Sequence, residues 1–240
     1  MAANPKTLRI VASREVGPAT RALDVEWVGG ERLADLGGRY VIVHTGLSVG
    51  DKAIKRAYSL LPVGDGPHRA RLTIKRIEGG PGSSALHAAP VGTELTFSGP
   101  WGKLVPAGGL APCTVLLATD TGITSALGIV AQAVAAGSQR PSSVLWLHDP
   151  DEDFLSIDMV RERVEGAGVH FANAAIPPVR SKERVAPALA HIDRRVSETP
   201  PAAVIATGDG AIVHPLIDRL AGIDVRIECY FHNPDKKSMS

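Results

Sequence analysis

Aromatic residues are scarce in this sequence, cysteines scarcer, and long apolar runs absent. Only 4% of the 240 residues are aromatic, so Val, Leu, Ile and Ala must build the core. An aromatic at a loop or chain end therefore draws notice. The two cysteines, Cys113 and Cys229, each fall inside an apolar strand-like run. Two thiols supply neither an iron–sulfur cluster nor a closed zinc site. The eight histidines show no H-x-x-x-H spacing and the chain no C-x-x-C, so no metal site is expected. No stretch approaches the roughly 18 apolar residues of a membrane span. The start, MAANPKTLRIVASREVG, lacks the apolar region of a secretory signal. A cytoplasmic protein without membrane association is expected. Basic residues are not clustered with aromatics, which gives a nucleic-acid role no footing.

The composition is that of a globular protein, 44% apolar and 21% charged, with room for one large domain or two compact ones. The net charge of +1 conceals an asymmetry. Residues 1–107 hold 14 Lys and Arg against 9 Asp and Glu, about +5; residues 108–240 hold 12 against 16, about −4. A basic first half suits an acidic partner or nucleotide phosphates, and equally a plain solvated surface.

The two halves differ in pattern. LRIVASREV, ALDVEWV, RYVIVHTG, KRAYSLLPV, RARLTIKRI and TELTFSG are short β-branched runs with turns such as GDGPH between them. They predict an antiparallel six-stranded β-barrel, with one short helix near Ser83–Ala89. The Gly- and Pro-rich stretch Gly99–Cys113 reads as a linker. Beyond it, continuous apolar strands alternate with amphipathic helices: CTVLLAT and ITSALGIVAQAVAAG, SSVLWLH and EDFLSIDMVRERVEG, VHFANA and SKERVAPALAHIDRRV, AAVIAT and AIVHPLIDRLAG, then DVRIECYF. This predicts an α/β parallel-sheet nucleotide-binding domain. The expected division is 1–107 and 108–240, the latter with a C-terminal tail.

Ligands of an open parallel sheet sit at the carboxyl ends of its strands. Two turns fall there: Ala118-Thr119-Asp120-Thr121-Gly122-Ile123-Thr124-Ser125 after the first strand of the second half, and Ala206-Thr207-Gly208-Asp209-Gly210 after the fourth. The positive end of a helix and its amides suit a diphosphate; the same residues also serve as ordinary helix caps. In the first half, Arg56-Ala57-Tyr58-Ser59 lies on a strand, with Arg56 and Tyr58 on one face and Ser59 on the other. The run Gly79-Gly80-Pro81-Gly82-Ser83-Ser84-Ala85-Leu86 follows, with amides and hydroxyls that could hold a phosphate or simply form a loop.

Taken in order, these pieces resemble the ferredoxin–NADP reductase superfamily over nearly the whole chain. The family's Arg-x-Tyr-Ser/Thr strand corresponds to Arg56–Ser59 and its Gly-x-x-Ser turn to Gly80–Ser83 or Gly82–Ala85 within one run. Its Gly-Pro-x-Gly segment matches Gly99–Gly102, its Thr-Gly-Ile loop Thr121–Thr124, and its Cys-Gly-Pro-like turn Thr207–Asp209. The resemblance implies a reductase carrying FAD and using NADPH or NADH. Arg56 and Ala57 would lie along the flavin phosphate, with the guanidinium fork on the oxyanion. Tyr58 would stack on the isoalloxazine, and Ser59 would hydrogen-bond near N5, where the hydride arrives. Thr73, Ile74 and Lys75 would line the flavin, and Gly82, Ser83 and Ser84 would hold its pyrophosphate. Thr121, Gly122, Thr124, Thr207, Gly208 and Asp209 would contact the nicotinamide nucleotide. Tyr230, with Phe231 beside it, would be the aromatic that shields the flavin until nicotinamide displaces it. Ser59 and Tyr230 are thus the residues nearest the chemistry.

Three departures from the family pattern stand out. Thr207 and Asp209 replace its Cys and Pro, Asp120 replaces a Gly, and the chain continues past Phe231 as the polar segment beginning His232-Asn233-Pro234. The carboxylates of Asp149, Asp151, Glu152 and Asp153 favour NADH, whereas Arg180, Lys182 and Arg184 lie where a 2′-phosphate would be met. The balance leans to NADPH. The Gly-Ser-Ser run favours FAD over FMN. The implied partner is a ferredoxin, a flavodoxin or an oxygenase component. The alternatives are a siderophore-type ferric reductase, whose Trp-rich basic ending is absent, and a non-catalytic flavin- or nucleotide-binding subunit of a larger redox complex.

Overall fold

A computed structural model describes residues 6–30, 32–33, 35–64, 66–151 and 154–232. Two compact units divide between Lys103 and Leu104, with a short stretch ending at Ser156 grouped with the first; the sequence had placed the boundary after residue 107.

The first unit is one antiparallel sheet of seven strands: β1 (Lys6–Gly17), β2 (Thr20–Trp27), β3 (Tyr40–Val49), β4 (Lys52–Ser59), β5 (Leu61–Pro62), β6 (Arg69–Lys75) and β7 (Glu94–Trp101). Their order is β4-β3-β7-β1-β2-β6-β5, so the sheet ends in two edges and is not hydrogen-bonded into a closed barrel. The extra strand arises within KRAYSLLPV. Leu60 is fully buried and its N–H donates to the Arg39 carbonyl at 2.7 Å, continuing the β3–β4 register, after which Leu61 and Pro62 pair with Arg71 and Ala70 of β6 and form a separate strand. Register shifts in β1 between Ile10 and Ala12 and between Glu15 and Gly17 bend it. Alternating side chains such as Leu8, Ile10, Val41, Val43, Leu72 and Ile74 form the core. Each such burial is worth about 1.5–3 kcal/mol. Helix α1 (Pro81–Ala88) adds Leu86 to it.

The second unit is a five-stranded parallel sheet: β8 (Thr114–Thr119), β9 (Ser143–His148), β10 (His170–Ala175), β11 (Ala203–Asp209) and β12 (Asp224–Phe231), in the order β10-β9-β8-β11-β12. Its helices are α2 (Ile123–Ala135), α3 (Ile157–Gly166), α4 (Val185–Glu198), α5 (Gly210–Val213) and α6 (Leu216–Arg219). Every residue of β8, β9 and β11 is buried, which explains their unbroken apolar runs.

Several details differ from the sequence reading. The segment AIVHPLIDRLAG forms two four-residue helices on either side of His214 and Pro215 rather than one. The stretch read as a linker begins within β7, which runs to Trp101. Cys113 is exposed at φ 57°, just ahead of β8, and not part of a strand. Of the polar tail, only His232 falls within the described residues.

Successive strands step from β8 to β9 to β10, then the chain crosses back to place β11 on the other side of β8. The topological switch point therefore lies between β8 and β11, where open α/β sheets bind nucleotides.

Candidate functional sites

On the first unit, β4 and α1 meet at Gly82. Val41 pairs with Tyr58 and Val43 with Arg56, which puts Arg56 and Tyr58 on the core-facing side of β4 near its open end. A Cβ built on Gly82 would stand 3.0 Å from Ile54 Cγ2 and 3.2 Å from Arg56 Cγ, so a larger residue there would have to push these side chains aside by a few tenths of an ångström. The Arg56 side chain is exposed and runs beside the first turn of α1. That helix start carries no side-chain cap and no acidic residue. A cation beside an uncapped helix N-terminus is an anion cradle. Ser83 does not turn its hydroxyl outward: Oγ accepts from Ile77 N at 3.0 Å and donates to the Gly80 carbonyl at 3.1 Å. It pins the turn, so its hydroxyl is committed within the protein. Ser84 is exposed.

Further along β4, Ala57 is exposed, Tyr58 half-buried and Ser59 buried at its end. Burial pushes the Tyr58 phenol up to about 12, with Arg56 opposing that shift, so the ring stays neutral beside the cradle. On β6, Thr73 and Lys75 are half-buried, whereas Ile74 is fully buried in the core. The Ile74 carbonyl accepts from His87 Nε2 at 2.8 Å. Any part Ile74 has in lining a ligand belongs to its backbone.

On the second unit, the turns after β8 and β11 interlock. Thr207 Oγ1 donates to the Gly122 carbonyl at 3.0 Å, and Asp209 N–H donates to Thr119 Oγ1 at 2.8 Å. A Cβ on Gly122 would meet the Thr207 carbonyl oxygen at 2.5 Å. At Gly208, φ is +124° and a Cβ would lie 2.3 Å from Thr119 Oγ1. Both positions demand glycine. Thr121 is half-buried, and Thr124 is buried with its hydroxyl donating to the Thr121 carbonyl at 2.8 Å. The Thr207 hydroxyl is likewise committed to the protein.

Asp120 holds φ 48°, the left-handed region that a glycine would enter without strain. It is 4% exposed and accepts from Arg184 Nη2 at 2.7 Å. Arg184, at 1% exposure, also brings Nε within 3.4 Å of Asp209 Oδ2. Asp209 is wholly buried; its Oδ1 caps α5 by accepting from Ala211 N–H at 3.0 Å and meets His232 Nδ1 at 3.0 Å. The sequence position of Arg184 suggests a contact to a 2′-phosphate, but the side chain is buried against Asp120 and Asp209 and is not available for one. Arg180 and Lys182 are exposed. On β12, Tyr230 and Phe231 are half-buried, and burial raises the Glu228 carboxyl to about 7.

The pattern of residues gave the two interlocked turns but missed the Arg184 and His232 contacts. The one available signal for the former was Asp120 at a glycine position, a carboxylate that a buried turn must neutralise.

An antiparallel unit followed by a parallel one whose strand order reverses between β8 and β11 is the two-unit fold of the flavin–nicotinamide oxidoreductase class. Residues 7–105 match the model of the oxidoreductase FAD-binding domain family. Ferredoxin–NADP reductase B of Sorangium cellulosum is 30% identical over 165 residues, covering 69% of this chain and 67% of that protein. NADH-cytochrome b5 reductase 1 of Cryptococcus neoformans is 27% identical over 122 residues, which are 49% of this chain and 42% of that one. The structure of ferredoxin–NADP+ reductase from Plasmodium falciparum superposes with a TM-score of 0.68 at 14% identity, covering 96% of this chain and 98% of the other. The chain belongs to the ferredoxin–NADP reductase superfamily, NAD(P)H-dependent flavoprotein oxidoreductases with FAD as the bound cofactor.

Proposed function

We propose that this protein takes a hydride from NADPH or NADH onto FAD and passes the electrons to a protein acceptor: a ferredoxin, a flavodoxin or an oxygenase component. The observation that carries this reading furthest is the approach of the exposed Arg56 side chain to Gly82, which sets a guanidinium beside an uncapped helix start. FAD supplies the step from two-electron hydride uptake to electron donation.

The chain's own residues bind, orient and exclude water. Arg56 and the first-turn amides of α1, at Gly82 and Ser83, hold the flavin phosphates, with Ala57 and Ser84 at the rim. Tyr58 presents a neutral ring to the isoalloxazine, and its high pKa keeps a phenolate charge away from the flavin. The Ser59 hydroxyl serves the N5 locus, and Thr73, Lys75 and the Ile74 backbone line the same cofactor. Thr121, Gly122 and Thr124 seat the nicotinamide nucleotide together with Thr207, Gly208 and Asp209, largely through backbone groups, because the Thr124 and Thr207 hydroxyls are engaged within the protein. Tyr230 is the aromatic assigned to shielding the flavin, with Phe231 as its neighbour. Arg180 and Lys182 support NADPH as donor, since Arg184 is buried.

The departures at Asp120, Thr207 and Asp209 from the family pattern are the features that keep a non-catalytic subunit in play. The pairing of Asp120 and Asp209 with Arg184 removes much of the objection to a phosphate-bearing ligand. The test is anaerobic mixing of FAD-loaded protein with each nucleotide. Rapid loss of the oxidised-flavin band, followed by its return when a ferredoxin or flavodoxin is added, is the expected outcome. Reduction by nucleotide with no transfer to any protein acceptor would contradict the electron-transfer role.

A further inference from the structure

We infer that Arg184 is a positioning residue for the nucleotide seat, tying together three loops at the carboxyl edge of the parallel sheet and offsetting a carboxylate that would oppose a diphosphate. This rests on the nucleotide-binding reading given above. Asp120 belongs to the turn after β8, Asp209 to the turn after β11, and Arg184 to the segment that follows β10 and opens α4. All three side chains are at least nine-tenths buried, with exposures of 3%, 0% and 2% for the Asp120, Asp209 and Arg184 side chains. The Nη2 bond to Asp120 is short, 2.7 Å, and the Nε contact to Asp209 is 3.4 Å.

The backbones of the two turns already touch through Thr207–Gly122 and Asp209–Thr119. Those neutral bonds fix the spacing but leave two carboxylates at the switch point. Formally the cluster carries −1 with Arg184 and −2 without it. Neighbouring phosphates feel that difference strongly where water is excluded. Arg184 also holds Asp120 in a left-handed conformation that a non-glycine residue adopts only under strain. Loss of the guanidinium thus acts twice on the seat: it adds unbalanced negative charge and frees the Asp120 turn to relax.

The role predicted is one in nucleotide binding, not in the chemistry. The test uses the full chain loaded with FAD, comparing wild type with Arg184→Gln and Arg184→Lys. Steady-state turnover is measured with NADPH and with NADH, using ferricyanide as acceptor. Arg184→Gln should retain its flavin and show KM for nucleotide raised about tenfold to a hundredfold, with kcat within about threefold. Arg184→Lys, which keeps the charge, should recover part of the KM. Should Arg184→Gln fail to fold, Arg184→Lys and the double variant Asp120→Asn/Arg184→Gln carry the test: both keep the formal cluster charge at −1, so each should show a nucleotide KM raised by the lost tie alone, and a wild-type KM in both would overturn the assignment. An unchanged KM in a folded Arg184→Gln protein, or a loss confined to kcat, would overturn the assignment. Wild-type protein that holds FAD but engages neither nucleotide would instead overturn the nucleotide-binding reading, and the assignment with it.

Discussion

Replacing Glu228 by Gln tests whether burial of the last strand has the electrostatic consequence the structure implies. Desolvation alone raises this carboxyl from 4.5 to about 7. A carboxyl whose folded pKa exceeds its unfolded value holds its proton more tightly in the native state. Its contribution to stability is complete below about pH 4.5 and is lost as pH rises to about 7. The gap corresponds to about 3 kcal/mol. Solvent that still reaches this half-buried group lowers the figure to roughly 2 kcal/mol. Urea unfolding of wild type and Glu228→Gln between about pH 5 and about pH 8 reads the effect directly. Wild type should lose roughly 2 kcal/mol more than the variant over that interval, leaving the variant the more stable protein at the alkaline end. Parallel stability profiles would refute the reasoning, since a glutamine has no proton to lose.

Three further outcomes follow from the sites. Gly122→Ala forces a Cβ to 2.5 Å from the Thr207 carbonyl; thermal unfolding should reveal a loss of about 1–3 kcal/mol, and nucleotide affinity should fall while FAD retention holds. Arg56→Ala should weaken FAD binding by about 1.5–3 kcal/mol, the worth of a charged hydrogen bond, as read by flavin release on gel filtration; full retention would dismiss the cradle. Arg180→Ala/Lys182→Ala should raise KM for NADPH about tenfold while sparing NADH, and equal effects on the two nucleotides would exclude a 2′-phosphate role for these residues.

Much of the architecture was legible because each sheet writes its burial into the chain. Strands β8, β9 and β11, buried on both faces, read as unbroken apolar runs. The first unit's core-facing positions alternate, as in Leu8–Ile10 and Leu72–Ile74. The split of KRAYSLLPV into β4 and β5 was not legible, because past Leu60 the chain changes its pairing partner from β3 to β6, which no local pattern announces. Cys113 extended the apolar run of β8 in sequence, yet its positive φ places it outside the ladder. Of the sites, the turns at Thr121–Thr124 and Thr207–Asp209 announce themselves by glycine and hydroxyl spacing. The role of Arg184 does not: its partner Asp120 is 64 residues away, and a basic residue near a predicted phosphate site reads the same whether it faces solvent or the interior.

The central claim is that electrons pass from a nicotinamide nucleotide to FAD on this chain. An absorption spectrum of the FAD-loaded protein, followed by anaerobic titration with NADPH and then NADH, tests it most directly. The FAD-loaded protein should be yellow and should be bleached by nucleotide, more readily by NADPH. A protein that cannot be loaded with FAD, or whose flavin neither nucleotide bleaches, would contradict it.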